Sequence, residues 1–248
     1  MGKKSRMFEF VDQTWNPIGA RCPYQCVYCW AQSANGFINR YKLKKYFGKP
    51  VLYEKTLNQK FKAGETVFVG DMTDIFAYTV PNSMLYKIFE VIEKWPNTTF
   101  LFLTKNPIDY LNLIEEGANI PYNTILGATI ESNRNYPNIS RAPSQHERLI
   151  AMRNLAYRYP KYKLFVSIEP ILDFDVELFI QWLKRITPWA IAVGYDNYGN
   201  KLPEPPLEKV DLLIKNVERF TLVYRKTIRR AWNESHQKEG GMMKNESV

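Results

Sequence analysis

Thr99-Phe100-Leu101-Phe102-Leu103-Thr104-Lys105-Asn106-Pro107 reads as a strand, a polar exit and the opening of a helix. Its apolar residues are continuous rather than alternating, as in a strand covered on both faces. Proline suits the first helical position, where a missing N–H costs nothing, and Gly117 supplies a stop. The same unit recurs on either side. Upstream, Thr66-Val67-Phe68-Val69 is an apolar run, and after Pro81 the pair Asn82-Ser83 is placed to cap a helix carrying Leu85, Ile88, Phe89 and Ile92. Downstream, Thr124 to Thr129 and Lys163 to Ser167 are strands, separated by a helix that Ser144 and Glu147 open as a capping box. Asp175 is placed to cap a helix with Leu178, Phe179, Trp182, Leu183 and Ile186. Trp189 to Val193 and Phe220 to Tyr224 are the last strands, with Leu207, Val210, Ile214 and Val217 marking a helix between them. Strands alternating with helices of this length predict βα units and a parallel α/β sheet. No repeat or linker divides the chain, so residues 1–232 are expected to form one domain. The polar stretch 233–248, with Gly240-Gly241, is expected to be a disordered tail.

The strands end alike. Their exits are Gly70-Asp71-Met72-Thr73-Asp74, Thr104-Lys105-Asn106, Ile130-Glu131-Ser132-Asn133, Ile168-Glu169-Pro170 and Gly194-Tyr195-Asp196-Asn197. One such acid is ordinarily a cap or turn residue. Five successive polar exits point to one mouth, because the C-terminal ends of barrel strands converge where chemistry is built. For Lys105, a salt bridge inside that mouth is as good a reading as a ligand contact.

Upstream lies Arg21-Cys22-Pro23-Tyr24-Gln25-Cys26-Val27-Tyr28-Cys29-Trp30, with all three cysteines of the chain in C-x3-C-x2-C spacing. Thiolates are soft ligands for zinc or iron–sulfur clusters. A structural zinc closes its shell with four protein ligands, and no fourth cysteine or histidine is near. Three thiolates on a four-iron cluster leave one iron open to a substrate or cofactor. The alternatives are a degenerate zinc knuckle or a loop of free thiols.

The chain has 248 residues, enough for a sizeable core, and its 45% hydrophobic and 24% charged content is that of a globular protein. Nothing is apolar for long enough to span a bilayer, and Met1 to Arg6 leads into no signal-peptide core. Three closely spaced cysteines are no disulfide scaffold, which points to a reducing, cytoplasmic setting without membrane contact. The formal charge of +9 suits a polyanionic partner or a solvated surface equally. Local basic groups are Lys42-Lys44-Lys45, Lys161-Lys163 and Arg225-Lys226-Arg229-Arg230.

The cysteine spacing, with aromatic Trp30 after it, resembles the hallmark of the radical S-adenosylmethionine (SAM) superfamily. Thr14-Trp15-Asn16-Pro17, the segment Val67 to Phe76, Leu103-Thr104-Lys105, Glu131 and Ser167-Ile168-Glu169-Pro170 further resemble a phage-associated and prokaryotic subgroup without a settled substrate. That similarity runs from Thr14 to about Gly199. The chain departs from the subgroup in its compact first cysteine gap, and in Gly194 to Gly199, where a glycine-glycine-glutamate type of segment is expected. More distantly it resembles spore photoproduct lyase-like proteins.

The resemblance implies a partial (β/α)6 TIM-type barrel with mostly parallel strands. It also implies a [4Fe–4S] cluster on Cys22, Cys26 and Cys29, and SAM as second cofactor. SAM contacts are then expected among Tyr28, Trp30, Gly70, Asp71, Asp74, Thr104, Lys105, Glu131, Ser132, Ser167 and Glu169. Asp71 or Asp74 would meet the amino end, and Glu131 or Glu169 the ribose. The implied reaction is one-electron reductive cleavage of SAM to a 5′-deoxyadenosyl radical that abstracts hydrogen from a substrate. An external reductant such as flavodoxin or ferredoxin would supply the electron. Tyr195, Asp196, Asn197, Arg225 and Arg229 are the candidate substrate contacts. With 16 Tyr and 6 Trp to stack on bases, a nucleic acid or nucleotide is one substrate class. A peptide or small molecule is another, and a non-catalytic iron–sulfur binder the third reading.

Overall fold

Short apolar runs pair with their neighbours in chain order, so the sheet grows one βα unit at a time. The computed structural model describes residues 7–234. In chain order its elements are β1 (Gln13–Trp15), β2 (Ile18–Gly19), α1 (Phe37–Arg40), β3 (Val51–Leu52), α2 (Glu54–Leu57), β4 (Thr66–Val69), α3 (Asn82–Glu93), β5 (Thr99–Thr104), α4 (Ile108–Glu115), β6 (Thr124–Thr129), α5 (Gln145–Arg158), β7 (Lys163–Ile168), α6 (Val176–Ile186), β8 (Ala190–Val193), α7 (Leu207–Val217) and β9 (Leu222–Arg225). Seven strands form one sheet in the order β1-β4-β5-β6-β7-β8-β9. Every pairing in it is parallel. The sheet curls into a half-barrel, and β2 and β3 make a separate antiparallel ribbon.

The two faces of the sheet are filled differently. Val67, Val69, Phe100, Phe102, Leu126, Val166 and Ile191 pack against the helices. Phe68, Leu101, Ile125, Phe165, Ala190 and Ala192 line the other, concave face. That face is closed by residues from before β1. Phe8 meets Phe165 and Phe68 edge-on at 4.9 and 6.2 Å between ring centres. Phe10 lies 4.8 Å from Tyr224 and 5.6 Å from Trp189. At Gly127 in β6, a Cβ would meet the Phe102 carbonyl oxygen at 2.7 Å, and that oxygen cannot yield. Gly127→Ala is therefore expected to cost about 1–3 kcal/mol of stability. Thermal unfolding should show a fall of about 2–4 °C per kcal/mol, and an unchanged melting temperature would refute the tight approach.

Several local expectations hold. The capping box at Ser144 is complete in both directions. After α4, the Gly117 N–H reaches Ile114 O and the Ala118 N–H reaches Leu113 O, the paired bonds of a Schellman stop, with Gly117 at φ +92°. Others need correction. The sheet has seven parallel strands, not six. The added β1 holds one buried residue, Trp15, among three, so it has no apolar run to announce it. Pro107 is the N-cap of α4 rather than its first residue, and likewise Pro81, not Asn82 or Ser83, caps α3. The stretch from Ala31 to Lys45 is mostly turns around the short α1, since Gly36 and Lys42, at φ +49°, interrupt it. Asp175 occupies the N-cap of α6, but its side chain makes no cap bond and pairs with Arg134. Most of the tail expected from 233 to 248 lies outside the described residues.

Candidate functional site

The cysteine loop lies over the C-terminal ends of β4 to β6. One side chain, Gln32, clamps it there. The Gln32 amide donates to the carbonyls of Ala20 and Met72, both at 3.0 Å, and its oxygen accepts from the Cys22 N–H at 2.7 Å. Its own N–H points at Cys29 Sγ, 3.1 Å away. The loop, its approach and the exit of β4 are thus held by one residue. Each net bond is worth about 1 kcal/mol. Gln32→Ala should accordingly speed exchange of the Cys22 amide by at least about tenfold, measured by hydrogen exchange. Protection equal to wild type would show that the clamp is not needed.

All three cysteines are free and half-buried. Burial, with the Asp74 carboxylate nearby, pushes the Cys22 thiol up to about 12. Burial also raises Cys26, against the pull of Lys105 and a 3.1 Å hydrogen bond shared with Ser140. Among the described residues, no three Cys, His, Asp or Glu side chains converge on one point that could hold a single metal ion. The donor set is three free thiols in one short loop, and thiolate sulfur is the ligand type of zinc and of iron–sulfur clusters alike.

Cys26 and Tyr28 turn toward the mouth. Tyr28 is buried, and its hydroxyl donates to Glu131 at the exit of β6. Glu131 is 1% exposed, and it also accepts from Arg148 at 2.8 Å. Lys105, at the exit of β5, lies 3.9 Å from the same carboxylate and 5.3 Å from the centre of the Tyr28 ring. Burial alone would raise the Glu131 carboxyl; Arg148, then Lys105 and Tyr28, outweigh that and bring it below its ordinary value. Lys105 thus makes a salt bridge inside the mouth.

Asp74 is a second hub. It accepts from Thr104 Oγ1 at 2.8 Å, from the Lys105 N–H at 2.8 Å and from the Phe76 N–H at 3.1 Å. It ties the exits of β4 and β5 together. Asp71 differs: among the described residues its carboxylate is held by the Asn16 side chain and its own backbone N–H, and burial raises it. Gly70, at φ +80°, turns the chain there, and a Cβ would collide with Ile75 at 2.7 Å. Ser132 Oγ donates to the Asp173 carbonyl at 2.6 Å, and Ser167 is buried in β7. Glu169 pairs with Lys226 at 2.9 Å.

Buried polar atoms are normally bonded. Among the described residues three are not: Tyr24 Oη, Thr73 Oγ1 and Gln145 Oε1. All three belong to this mouth. Tyr24 lies between Cys22 and Cys26, Thr73 between Asp71 and Asp74, and Gln145 donates to Glu131 at 3.5 Å. Tyr24 feels the Asp74 carboxylate, and Gln145 reaches Glu131, so these orphaned atoms fit a polar ligand at the mouth.

The candidate substrate residues do not gather at this mouth in the same way. Tyr195 is fully buried, and its hydroxyl donates to Pro205 O at 2.9 Å. The Asp196 carboxylate accepts from the Asn200 and Tyr198 N–H groups and shapes its own loop. Asn197 accepts from Thr227 Oγ1 at 2.5 Å. The basic group that begins at the end of β9 is paired throughout: Arg225 with Glu218, Lys226 with Glu169, Arg229 with Glu204 and Arg230 with Glu234. Gln32, Asn16, Ser140 and Arg148 were not among the expected site residues. Each is recognisable by its partner across the fold, and only the Thr-Trp-Asn-Pro segment marked Asn16 in advance.

A family model described as "Protein of unknown function (DUF5131)" matches residues 5–201. No curated protein sequence matches the chain. Among solved structures, a spore photoproduct lyase variant superposes with a TM-score of 0.63 at 17% identity, covering 91% of this chain and 80% of that one. Another, with bound AdoMet and dinucleoside spore photoproduct, gives 0.60 at 16% identity, covering 92% and 81%. SuiB of Streptococcus suis, bound to the precursor peptide SuiA, gives 0.52 at 9% identity, covering 88% of this chain and 49% of that longer one. At these identities the likeness is one of fold, and the fold is the partial barrel expected from the motifs.

Proposed function

The chain belongs to the DUF5131 family of proteins of unknown function, and for this member we propose radical SAM chemistry at the cysteine mouth. The observation that carries the proposal is the position of Cys22, Cys26 and Cys29. Cys22 lies near the Asp74 carboxylate and Cys26 near Glu131 at the strand exits, and Cys29 follows in the same loop, three thiols in cluster spacing along the sequence. Cys22, Cys26 and Cys29 would hold a [4Fe–4S] cluster, and metal binding would draw off the protons that burial now favours. When bound, cluster and SAM supply reductive cleavage of SAM and hydrogen abstraction from a substrate.

The chain's own residues do the rest. Asp71, which carries no ion pair among the described residues, would take the amino group of SAM, and Gly70 lets the backbone come close. Thr73 and Tyr24 offer hydroxyls beside it. Glu169 and Ser167 are available to the ribose from β7, with Ser132 at the next exit. Trp30 packs behind Cys29. Asp74 and Glu131, whose oxygens are already engaged, act by holding Thr104, Lys105 and Tyr28 in place rather than by meeting SAM themselves. A reducing cytoplasm keeps the thiols open to iron.

The substrate is read as follows. Spore photoproduct lyase is seen with a dinucleoside spore photoproduct and SuiB with a precursor peptide, so both classes fit this fold. The pairing of Arg225, Lys226, Arg229 and Arg230 with carboxylates removes the group best placed in sequence for phosphates, and favours a substrate other than long duplex DNA. The test of the chemistry is anaerobic reconstitution with iron and sulfide, then SAM and dithionite. Formation of 5′-deoxyadenosine is expected. An iron-loaded protein that binds SAM and releases none would instead be a binder. Zinc at one equivalent with no iron uptake would restore the knuckle.

A further inference from the structure

Residues 13–53 wrap the cysteine loop and contain no aspartate or glutamate. They carry Arg21, Arg40, Lys42, Lys44, Lys45 and Lys49, so this one segment holds most of the +9 surplus. Lys45 is turned inward, toward Asn16 O and over the Tyr53 ring at 4.4 Å. The other five cations have no carboxylate partner among the described residues. This sets them apart from the paired group that begins at the end of β9.

Aromatic rings stand among these cations. Phe37 and Tyr41 are 38% and 59% exposed, with ring centres 4.5 Å apart. Phe37 also lies 5.8 Å from Trp30, the residue after Cys29. Cys29 and Trp30 pack on Ala31, Ile38 and Tyr46 of the same segment. The cysteine loop thus has two sides. Cys26 and Tyr28 face Lys105 and Glu131 at the mouth, while Cys29 backs onto the segment whose outer surface is cationic and aromatic.

We infer that the surface formed by Phe37, Arg40, Tyr41, Lys42 and Lys44 docks a small acidic one-electron carrier protein of the flavodoxin or ferredoxin class. The inference rests on the radical SAM reading, which requires an electron from outside. The transfer moves one electron from the carrier, which is oxidised, to the centre on the cysteine loop, which is reduced; no bond forms between the proteins. Weak redox encounters use small interfaces, and opposite charge raises their rate of association. An acid-free segment one layer from Cys29 meets both needs. Interleaved cations and aromatics also suit single-stranded nucleic acid. Position decides for the carrier. An electron entering behind Cys29 leaves the mouth closed to water, whereas a substrate has to reach the mouth itself.

The test compares the reconstituted full chain with the charge-reversed variant R40E/K42E/K44E. Immobilised flavodoxin is the probe, at low and moderate salt, with labelled single-stranded DNA run in parallel. The wild-type chain should bind flavodoxin less tightly as salt rises, and the variant should bind at least about tenfold more weakly. The melting temperature and the 5′-deoxyadenosine formed with dithionite should match wild type, since dithionite needs no docking surface. The milder variant R40Q/K42Q/K44Q should lose part of the affinity with the fold intact. Unchanged flavodoxin binding by the charge-reversed variant overturns the proposal. So does a loss confined to single-stranded DNA, which would make the surface a nucleic-acid site. Absence of 5′-deoxyadenosine from the wild-type chain with dithionite would instead sink the enzyme reading, independently of the binding result.

Discussion

Cys26→Ala protein, reconstituted anaerobically with iron and sulfide, is expected to hold less than about one iron per chain, against about four in wild type. Three thiolates on a four-iron cluster leave none to spare. The chain has no fourth cysteine to substitute. The change also strips Ser140 of its 3.1 Å partner, so the loop loses an anchor with its ligand. Broad visible absorbance and 5′-deoxyadenosine should vanish together. The Cys22→Ala and Cys29→Ala proteins should behave alike, although Cys29 lies on the other side of the loop. Retention of four irons by Cys26→Ala would end the cluster assignment.

The largest effect on stability is expected from Arg148→Met. Arg148 and Glu131 are each 1% exposed and joined at 2.8 Å. Removing the guanidinium leaves the carboxylate buried, with Lys105 at 3.9 Å as its nearest remaining cation. Breaking a buried pair on one side costs about 3–5 kcal/mol, or roughly 6–20 °C in melting temperature for a chain of this size. Neutralising the stranded acid should recover much of that, so Glu131→Gln with Arg148→Met is expected to be more stable than Arg148→Met alone. If the single variant melts within about 2 °C of wild type, the pair is not a structural hub. The pH dependence follows from the lowered Glu131 carboxyl. A carboxyl depressed by folding contributes stability above its unfolded pKa and loses it as pH falls through the folded one. Wild type should therefore lose this contribution only below the ordinary carboxylate range. Arg148→Met, whose Glu131 is no longer held down, should weaken at higher pH.

The strands that could be read in advance were those with continuous apolar runs, from Thr66 to Tyr224. β1 escaped because an edge strand of three residues, only one of them buried, has no period to display. The exits of the strands were legible as a set, and so was the cysteine loop, because polar residues at strand ends and close thiols are local patterns. What each exit does was not. Glu131 and Asp74 look like ligand carboxylates in sequence, yet their oxygens are engaged by Arg148, Tyr28, Thr104 and the Lys105 backbone. Likewise the cations from Arg225 to Arg230 read as one basic group, while their partners Glu169, Glu204 and Glu218 lie on other elements. Charge is local in sequence; its neutralisation is decided by the fold.

The aromatic pair at the start of the described chain has a mechanical consequence. An open parallel sheet has no closing strand to fix its radius and could flatten. Phe8 touches Phe68 and Phe165, while Phe10 touches Trp189 and Tyr224, so three residues of chain brace the concavity from β4 to β9. The Lys226 ammonium, 2.9 Å from Glu169, also rests over the Phe8 ring at 4.9 Å. The brace therefore sets the aperture between Asp71 on one flank and Glu169 on the other. The width of that opening is thus held from beneath, by rings packed on the concave face of the sheet.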